Sequence, residues 1–392
     1  MIKARYITEN IYNDLKDKMV FVGGPRQVGK TTLALYIADN YFKSYQYVNW
    51  DNRQDRKDIL NSVRKPEIKL IVYDEIHKYK FWKNYLKGEY DKHKEDFDIL
   101  VTGSARLDIY RKGGDSLLGR YRYYRLHPFS LSEFLGKKPY YAVDKELNFD
   151  NYSKEYDKAS DLLLKFGGFP EPLFKQSEKD LRRWLNERLD RLVMNDIRDI
   201  ENIRNLSLMQ VLVDLMPSKV SSVLSINSLR EDIEVSHKTI SSWIDILERF
   251  YYCFRIYPFY SSKIKSLRKE PKVYLWDWSE IEEDGAKYEN IIASHLIKFC
   301  HYLYDAEGYK AELHYIRDRE KREVDFLISV NKKPWFCVEA KKSLGNVPAS
   351  LLYFREKLSI PYNYIVVQEK GIDKMQKEVR IISFDKFLSS LI

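Results

Sequence analysis

The stretch MVFVGGPRQVGKTTLALYIADNY, residues 19–41, joins a short apolar run to a glycine-bearing loop and then to a helical pattern. The apolar run predicts a buried strand, and Leu33 and Ile37 share one face of the helix that follows. Between them, residues 24–31 read G-P-R-Q-V-G-K-T, the pattern of a phosphate-binding loop. A strand before the loop and a helix after it are the context that this motif requires, so the stretch predicts an α/β domain.

The residue types in this loop suit the binding of a nucleoside triphosphate. Gly24 and Gly29 allow backbone conformations in which successive N–H groups point at phosphate oxygens. The Lys30 ammonium can reach the β and γ phosphates, and the Thr31 hydroxyl can ligate Mg²⁺. The start of the helix adds the positive end of its dipole. The predicted nucleotide-binding residues of this segment are Gly24, Pro25, Arg26, Gln27, Val28, Gly29, Lys30, Thr31 and Thr32.

A second apolar strand, KLIVYDEIHK at residues 69–78, stops at Asp74 and Glu75. Its unbroken apolar run is typical of a buried parallel sheet, in which ligands bind beyond the carboxyl ends of the strands. Asp74 is therefore predicted to hold Mg²⁺ through water, and Glu75 to polarise the water that attacks the γ-phosphate. The alternative is that the acidic pair caps the next helix.

A third strand, FDILVTGSAR at residues 97–106, ends in polar residues. In P-loop ATPases a polar side chain on the strand between the first strand and the acidic strand senses the γ-phosphate, and Ser104 or Thr102 could do this. Ordinary turn chemistry explains Thr-Gly-Ser equally well. Further along, Arg120 is a candidate for neutralising charge on the nucleotide of a neighbouring subunit, or else a solvated arginine.

Composition limits the broad class of the protein. The 392 residues exceed the size of a usual single core, so two to four domains are expected. A net charge of +9 fits an anionic partner such as nucleic acid, although solubility alone also explains it. No signal peptide and no apolar run of roughly 20 residues is evident, which predicts a cytoplasmic protein without a membrane partner. The isolated residues Cys253, Cys300 and Cys337 are expected to be buried thiols.

Two regions after the first domain have helical patterns. Residues 151–206 are predicted to form a lid or connector, broken by a turn at GGFPEP, residues 167–172. Residues 225–259, SINSLREDIEVSHKTISSWIDILERFYYCFRIYPF, predict helix, turn, helix and strand, a winged helix-turn-helix with Ser236 as an N-cap. Its buried face would comprise Ile240, Trp243, Ile244 and Leu247. The residues predicted to face DNA are His237, Lys238, Ser241 and Ser242. A structural adaptor beside the ATPase core is the alternative.

Residues 310–343 break into three predicted strands at DREK and NKKP, and the stretch EVDFLISVNKKPWFCVEAKK, residues 323–342, contains the last two. Since side chains alternate along a strand, Asp325 lies opposite the apolar face, while Glu339 and Lys341 share a face. If these two strands pair, the three side chains converge. Two carboxylates can hold Mg²⁺ and a lysine can orient water for attack on phosphorus, with Glu289 of the preceding helix as a further ligand. A charged hairpin edge is the structural alternative.

Several segments together resemble a known family. They are GGPRQVGKTT, IVYDEIHK, LVTGSAR, LLGRYRYYRLHPFSLSEF, FGGFPEPL and LNERLDRLVMNDIRDI. The chain resembles AAA+-type prokaryotic ATPases that carry a C-terminal domain of unknown function similar to PD-(D/E)xK nucleases. This resemblance implies ATP binding and hydrolysis. Asp325, Glu339 and Lys341 match the nuclease pattern D…E-x-K, and Glu289 matches its helical acid, whereas an aliphatic residue such as valine is more usual at Ala340.

These observations predict an α/β protein with four parts. Residues 1–150 form a P-loop domain with a parallel sheet, 151–206 a helical connector, 207–262 a winged helix, and 263–392 an α/β PD-(D/E)xK-like domain. Two function classes follow: an Mg²⁺-dependent ATPase coupled to a nuclease that acts on DNA or RNA, or an ATP-switched binding or assembly module with a catalytically silent nuclease-like scaffold. Arg120 suggests a homo-oligomer formed through the ATPase domain.

Overall fold

The computed structural model describes residues 4–103, 117–149, 153–197, 205–260 and 270–392. The chain divides into two compact units. The first comprises Met1–His127 with Asp305–Glu307, and the second comprises Pro128–Tyr304 with Gly308–Ile392.

The first unit contains a parallel sheet of five strands in the order β2-β3-β4-β1-β5. Its strands are β1 Met19–Gly23, β2 Tyr45–Asn49, β3 Leu70–Asp74, β4 Asp98–Thr102 and β5 Tyr121–Arg125. Every residue of β1 and β3 is buried, as their unbroken apolar runs predict. The predicted parallel α/β domain is confirmed, and β4 lies between β1 and the acidic strand β3.

Helices cover this sheet and account for the helical periodicity of the intervening segments. The described helices of the first unit are Thr8–Leu15, Lys30–Tyr41, Arg53–Leu60, Trp82–His93 and the short 3₁₀ helix Ile76–Lys78. Leu33 and Ile37 are both buried on the helix that follows the glycine-bearing loop. Because all five strands run in one direction, their carboxyl ends and the loops after them lie at a single edge of the sheet.

The second unit contains a mixed sheet of eight strands in the order β12-β13-β11-β10-β9-β8-β6-β7. Its strands are β6 Cys253–Pro258, β7 Lys272–Leu275, β8 Ala311–Arg317, β9 Glu323–Val330, β10 Lys333–Lys341, β11 Tyr362–Val367, β12 Asp373–Gln376 and β13 Val379–Ser383. The three strands expected between residues 310 and 343 are β8, β9 and β10. β9 and β10 pair antiparallel with Phe326 opposite Val338. The strand pairing on which the predicted convergence of Asp325, Glu339 and Lys341 depends is therefore present.

Helices precede, interrupt and follow this sheet. The described helices of the second unit are Leu131–Phe134, Lys154–Phe166, Pro170–Lys175, Glu178–Arg191, the π-helical turn Leu192–Ile197, Leu206–Leu215, Met216–Lys219, Ile226–Ile233, His237–Arg249, Trp278–Glu280, Asp284–Asp305, Ala349–Leu358 and Phe384–Ser389.

The segment GGFPEP differs in part from its expectation. Gly167, at φ +75°, ends one helix, but Pro170 and Pro172 belong to the next helix rather than to a turn. Proline suits the first helical turn because its missing N–H would have no intrahelical partner there.

The predicted helix-turn-helix pattern is confirmed as secondary structure. Helices Ile226–Ile233 and His237–Arg249 are followed by β6. The Ser236 hydroxyl accepts a hydrogen bond from the Thr239 amide at 3.1 Å, as an N-cap does. All four residues expected on the inner face are buried, namely Ile240, Trp243, Ile244 and Leu247.

The strand after the helix-turn-helix joins the larger sheet of the second unit. β6 pairs antiparallel with β7 and parallel with β8, where Tyr257 lies opposite His314. Residue 262 is the predicted boundary between the winged helix and the C-terminal domain. Strands from both sides of this boundary therefore belong to one hydrogen-bonded sheet. The division of the chain into four parts stays a prediction.

The cysteine prediction is confirmed, since Cys253, Cys300 and Cys337 are all buried free thiols. Over the described ranges, none of the helices is both long enough and apolar enough to span a lipid bilayer.

Candidate functional site

The glycine-bearing loop leaves the carboxyl end of β1 and leads into the helix Lys30–Tyr41. Gly24 has φ +143° and Gly29 has φ +100°, backbone conformations that L side chains rarely adopt. A Cβ atom on Gly24 would lie 2.3 Å from the Leu126 carbonyl oxygen. Both glycines are therefore required by the path of the loop, and no described side chain caps the first amides of the helix. The first amides of an α-helix have no acceptor within the helix and can serve as donors to an anion.

Lys30 is buried with its ammonium inside the loop. Its Nζ donates to the carbonyl oxygens of Gly24 at 3.0 Å and Pro25 at 2.6 Å. Both carbonyl acceptors belong to the segment that the sequence assigns to phosphate binding. This places a positive charge within the predicted phosphate-binding loop.

The remaining loop residues divide between buried anchors and exposed side chains. Pro25 and Val28 are buried, whereas Arg26, Gln27 and Thr32 are exposed. The Val28 carbonyl accepts a hydrogen bond from Arg5 Nη1 at 2.8 Å. The Arg5 guanidinium also donates to the His127 carbonyl at 2.6 Å. Arg5 thus connects the loop to the segment after β5, a role that the sequence did not reveal.

Asp74, at the carboxyl end of β3, is the centre of a hydroxyl cluster. Its Oδ2 accepts hydrogen bonds from Thr31 Oγ1 and from the Tyr47 hydroxyl, each at 2.8 Å, and its Oδ1 accepts from Thr102 Oγ1 at 2.6 Å. Burial, together with the Asp74 charge, raises the pKa of Tyr47 to about 12, so Tyr47 stays a donor. These contacts hold the carboxylate beside the Thr31 hydroxyl.

Glu75 follows directly, in a left-handed backbone conformation at φ +56°. Such a conformation is strained for a residue with a side chain. Its amide donates to the Thr102 carbonyl at 2.9 Å, which fixes it to the end of β4. The Glu75 carboxylate lies 3.4 Å from Lys78 Nζ and 3.5 Å from His77 Nε2. Glu75 precedes a 3₁₀ helix, but its side chain makes no cap hydrogen bond among the described residues.

Arg120 and Ser104 are the two remaining predicted residues of this unit. Arg120 precedes β5, which pairs in parallel with β1 from Met19 onward, so Arg120 is at the opposite edge of the sheet from the loop. Its guanidinium bonds both carboxylate oxygens of Asp91, at 2.7 and 3.0 Å. Ser104 lies outside the described residues. Of the two candidates for sensing the γ-phosphate, Thr102 is the one with a described position.

The residues of the first unit fit a nucleotide with Mg²⁺. Buried Lys30 lies within a loop whose glycines adopt the required conformations, and the Thr31 hydroxyl is beside a carboxylate. Hydroxyl and carboxylate oxygens are the ligands that Mg²⁺ prefers.

A second group of charged side chains lies on β9 and β10 in the second unit. Asp325 Oδ2 accepts a hydrogen bond from the Ala340 amide at 3.0 Å, which holds it against β10. On β10, the Lys341 ammonium lies 2.8 Å from Glu339 Oε1. Glu339 Oε2 is buried and has no hydrogen-bond partner among the described residues. Asp325, Glu339 and Lys341 therefore lie in one neighbourhood.

Lys272, the first residue of β7, lies among the same acidic residues with its side chain only 3% exposed. Its Nζ is 2.7 Å from Glu323 Oε1, 3.4 Å from Glu289 Oε1 and 3.5 Å from Asp325 Oδ1. The Tyr274 hydroxyl donates to the same oxygen of Glu289 at 2.7 Å. Burial disfavours the ammonium, but the carboxylates of Glu289, Asp325 and Glu323 outweigh it and raise the pKa of Lys272.

Burial and mutual repulsion both act on the carboxylates of this cluster. Burial, followed by the Asp325 charge, raises the pKa of Glu289 and of Glu339 to about 7 in each case. Like charges in one buried site disfavour simultaneous ionisation. The donors have the chemistry of a hard-cation site. However, no group of three His, Cys, Asp or Glu side chains in the described part of the chain is arranged to hold a metal ion as it stands.

Sequence reasoning missed Tyr47, Lys272, Glu323 and Tyr274. Glu323 had a detectable signal, because it lies two residues before Asp325 and therefore shares its face of β9. Lys272 had only a weak signal, a charged residue at the start of the apolar strand KVYL.

Three family models match successive parts of the chain. Residues 16–135 match the model described as AAA domain. Residues 158–279 match the domain of unknown function DUF8612, and residues 284–387 match the domain of unknown function DUF4143. The first match, together with the loop and the strand order, identifies the first unit as an AAA-type P-loop domain. The C-terminal match names no activity.

Relatives with similar sequences extend over most of the chain. An uncharacterized protein of Methanocaldococcus jannaschii is 26% identical over 355 residues, which cover 83% of this chain and 76% of the relative. An uncharacterized protein of Haemophilus influenzae is 24% identical over 370 residues, covering 83% and 84% respectively.

Similar solved structures include the Thermotoga maritima RuvB Holliday junction branch migration motor. It is 16% identical, with 63% of this chain and 87% of that chain covered and a TM-score of 0.32. The Aeropyrum pernix ORC1 protein in complex with DNA is 14% identical, with 73% and 90% covered and a TM-score of 0.32.

Proposed function

We propose that the protein binds ATP with Mg²⁺ and hydrolyses it at the loop between β1 and the helix Lys30–Tyr41. The observation that carries this proposal is the 2.8 Å hydrogen bond from the Thr31 hydroxyl to Asp74, beside the buried ammonium of Lys30. It joins the end of β3 to the start of the helix, which is where a triphosphate and its cation would have to be bound. The match of residues 16–135 to an AAA domain supports the same conclusion.

Each residue has a proposed part in this reaction. The backbone amides of residues 24 and 26–29 and the Lys30 ammonium would bind the phosphates, while Thr31 directly and Asp74 through water would hold Mg²⁺. When bound, Mg²⁺ would neutralise charge on the phosphate oxygens. Glu75 would accept a proton from the attacking water, and Thr102 is the described candidate for sensing the γ-phosphate. The pairing of Thr102 with Asp74 at 2.6 Å supports that assignment.

The proposal is tested by the substitution Glu75→Gln. We expect ATP turnover to fall by about a hundredfold or more, since removal of a general base costs at least that much. Binding of a fluorescent ATP analogue with Mg²⁺ should persist, because Glu75 is not a phosphate ligand. The matched control is Glu95→Gln, an exposed glutamate of the same unit, which should keep native turnover. Unchanged turnover in Glu75→Gln would exclude Glu75 as the base, and no binding by the native chain would exclude the proposal itself.

A second candidate function is hydrolysis of phosphodiester bonds in DNA or RNA by the C-terminal domain. The observation that favours it is the proximity of Asp325, Glu339 and Lys341, with Asp325 bonded to the amide between the other two residues. Glu289, Asp325 and Glu339 are the residues that would hold a divalent cation. Such a cation would supply charge neutralisation at the phosphate. Lys341 would orient the water.

Cleavage of plasmid and single-stranded DNA, with Mg²⁺ or Mn²⁺ and with or without ATP, tests this candidate. The native chain should cleave, and Lys341→Ala should not, while Lys333→Ala at the exposed start of β10 should cleave normally. Equal background signal from the native chain and from Lys341→Ala would remove the nuclease function. That result, combined with normal ATP turnover, would favour an ATP-switched binding or assembly module with a silent nuclease-like domain.

Residues 207–262 are proposed to be a winged helix that contacts DNA. Support comes from the helix-turn-helix with its buried inner face, and from the outer face, where His237, Lys238 and Ser242 are exposed and Ser241 is partly exposed. The four-part division of the chain and a homo-oligomer in which Arg120 acts on a neighbour's nucleotide also belong to this proposal. Displacement of Asp91 from Arg120 would be required for that action.

A further inference from the structure

We infer that the Lys272 ammonium is an internal cation of the acidic site in the second unit, and that it competes with a divalent metal ion for Glu289 and Asp325, two of the three proposed metal ligands. This inference rests on the metal-binding part of the proposed nuclease function and adds a control on when the metal binds. Lys272 belongs to no part of the nuclease pattern that the sequence displays, and it comes from a different strand, β7.

The position of Lys272 supports competition rather than phosphate binding. Its Nζ is within 3.5 Å of an oxygen of each of three carboxylates and makes its shortest contact, 2.7 Å, with Glu323. With a side chain only 3% exposed, the ammonium is shielded from solvent. One positive charge thus lies beside two of the three carboxylates proposed to hold the metal, Glu289 and Asp325, and beside the neighbouring Glu323.

Glu339, another carboxylate of the cluster, has one oxygen without a hydrogen-bond donor among the described residues. Glu339 Oε2 is buried with no hydrogen-bond partner among the described residues, while its other oxygen pairs with Lys341. The Glu339 side chain is 8% exposed. A buried acceptor without a donor is costly. A divalent cation held by Asp325 and Glu339 would supply the charge that this oxygen lacks, and the Lys272 ammonium is the positive charge already beside Asp325.

Lys272 can be displaced without unfolding its strand. Its backbone is held by β6, where it lies opposite Ile256, and by a bridge to Val223. Those contacts involve the main chain alone, so the side chain can adopt another rotamer while β7 remains paired. The inferred competition is therefore local to one side chain.

The test is the affinity for Mn²⁺, measured by electron paramagnetic resonance of the free ion, in the native chain and in Lys272→Met. Methionine keeps the length and apolar stem of lysine and removes its charge. We expect Lys272→Met to bind Mn²⁺ about tenfold more tightly or better, because loss of a cation this close to three carboxylates strengthens the field on the metal. Lys272→Arg, which keeps the charge, and the exposed control Lys333→Met should both resemble the native chain.

A second readout guards against a variant that simply fails to fold. Without metal, Lys272→Met should melt at a lower temperature than the native chain, since its carboxylates have lost their counter-ion. Added Mn²⁺ should raise its melting temperature more than that of the native chain. Adding Asp325→Asn should abolish this gain.

The outcomes separate the two ideas. If the native chain binds Mn²⁺ and Lys272→Met binds it equally or more weakly, the competition is refuted while the metal site stands. If neither protein binds Mn²⁺ and neither melting temperature responds to it, the metal site of the proposed function is refuted as well.

Discussion

Gly24 illustrates how a single residue determines the nucleotide loop. The loop turns away from β1 at Gly24, whose φ of +143° disfavours any residue with a Cβ atom. The approach of the Leu126 carbonyl adds a steric limit, because a Cβ atom would be 2.3 Å from its oxygen. The motif glycine is therefore needed both for its backbone conformation and for the space it leaves.

We expect Gly24→Ala to lose ATP binding and to lower the free energy of unfolding by about 1–3 kcal/mol, since both strain and a clash with the backbone are introduced. Isothermal titration with an ATP analogue and urea unfolding measure the two effects. Gly88→Ala is the matched control, because this exposed helical glycine has no atom within 4 Å of an added Cβ. Gly88→Ala should bind normally and be more stable by about 0.5–1 kcal/mol. Normal ATP binding by Gly24→Ala would contradict the assigned role of the loop.

At the scale of elements, the short helix Leu131–Phe134 is attached to the long helix Asp284–Asp305 by buried polar contacts. The Leu131 amide donates to His295 Nε2 at 2.9 Å, and His295 Nδ1 lies 2.8 Å from the Ile291 carbonyl. Lys298 Nζ lies 2.6 Å from Glu133. The first contact needs an unprotonated Nε2, so His295 must be the neutral tautomer with its proton on Nδ1.

This arrangement predicts a loss of stability in acid. Burial, reinforced by the Lys298 charge, lowers the pKa of His295 to about 3, below its ordinary value near 6.5. Between these two pKa values His295 is protonated in the unfolded chain and neutral in the folded chain. The free energy of unfolding therefore falls as pH decreases from about 6.5, by up to about 1.4 kcal/mol per pH unit.

Urea unfolding of the second unit at pH 7.5 and pH 5.0 measures this dependence. His295→Gln should be less stable at pH 7.5 and should show a smaller loss at pH 5.0, since glutamine does not titrate. His237→Gln, at an exposed position, should retain the native dependence. An equal loss in the native chain and in His295→Gln would show that other groups cause the acid sensitivity.

For the whole molecule, the excess of positive charge is the property that bears on a nucleic-acid partner. The chain has a net charge of +9 and a pI near 9.0. Lysine and arginine that contact phosphates release counter-ions, which makes affinity depend on salt concentration. A charge total alone does not locate the contacts, and the exposed face of the helix His237–Arg249 is the proposed place for some of them.

We therefore expect affinity for duplex DNA of mixed sequence to fall linearly with salt on a double-logarithmic plot. Lys238→Ala should weaken binding and reduce the slope by about 1, the value for one lost phosphate contact. Lys179→Ala, an exposed lysine on the helix Glu178–Arg191, is the control and should change neither. Fluorescence anisotropy between 50 and 300 mM salt measures both quantities (about a sixfold range, wide enough to resolve one contact). Identical slopes for Lys238→Ala and the native chain would remove this helix from the proposed interface.

Local chemistry made much of the fold and part of the candidate sites predictable. The loop at residues 24–31, the buried strands β1 and β3, and the helix-turn-helix with Ser236 as N-cap all follow from short-range pattern. The position of Asp325, Glu339 and Lys341 on one face of the paired strands follows from the alternation of side chains along a strand. In each case the signal lies within a few residues, because hydrogen bonding and side-chain alternation repeat over that distance.

Contacts between distant parts of the chain were decided by tertiary structure alone. Tyr47 reaches Asp74 across neighbouring strands, and Lys272 reaches Asp325 from a strand 53 residues earlier in the chain. Arg120 reads as a candidate for nucleotide chemistry, yet strand register places it at the far edge of the sheet, bonded to Asp91. Sequence by itself determined which residues can act on phosphate and metal. Only the pairing of strands decided which charges neutralise one another, because that depends on distances that no local pattern encodes.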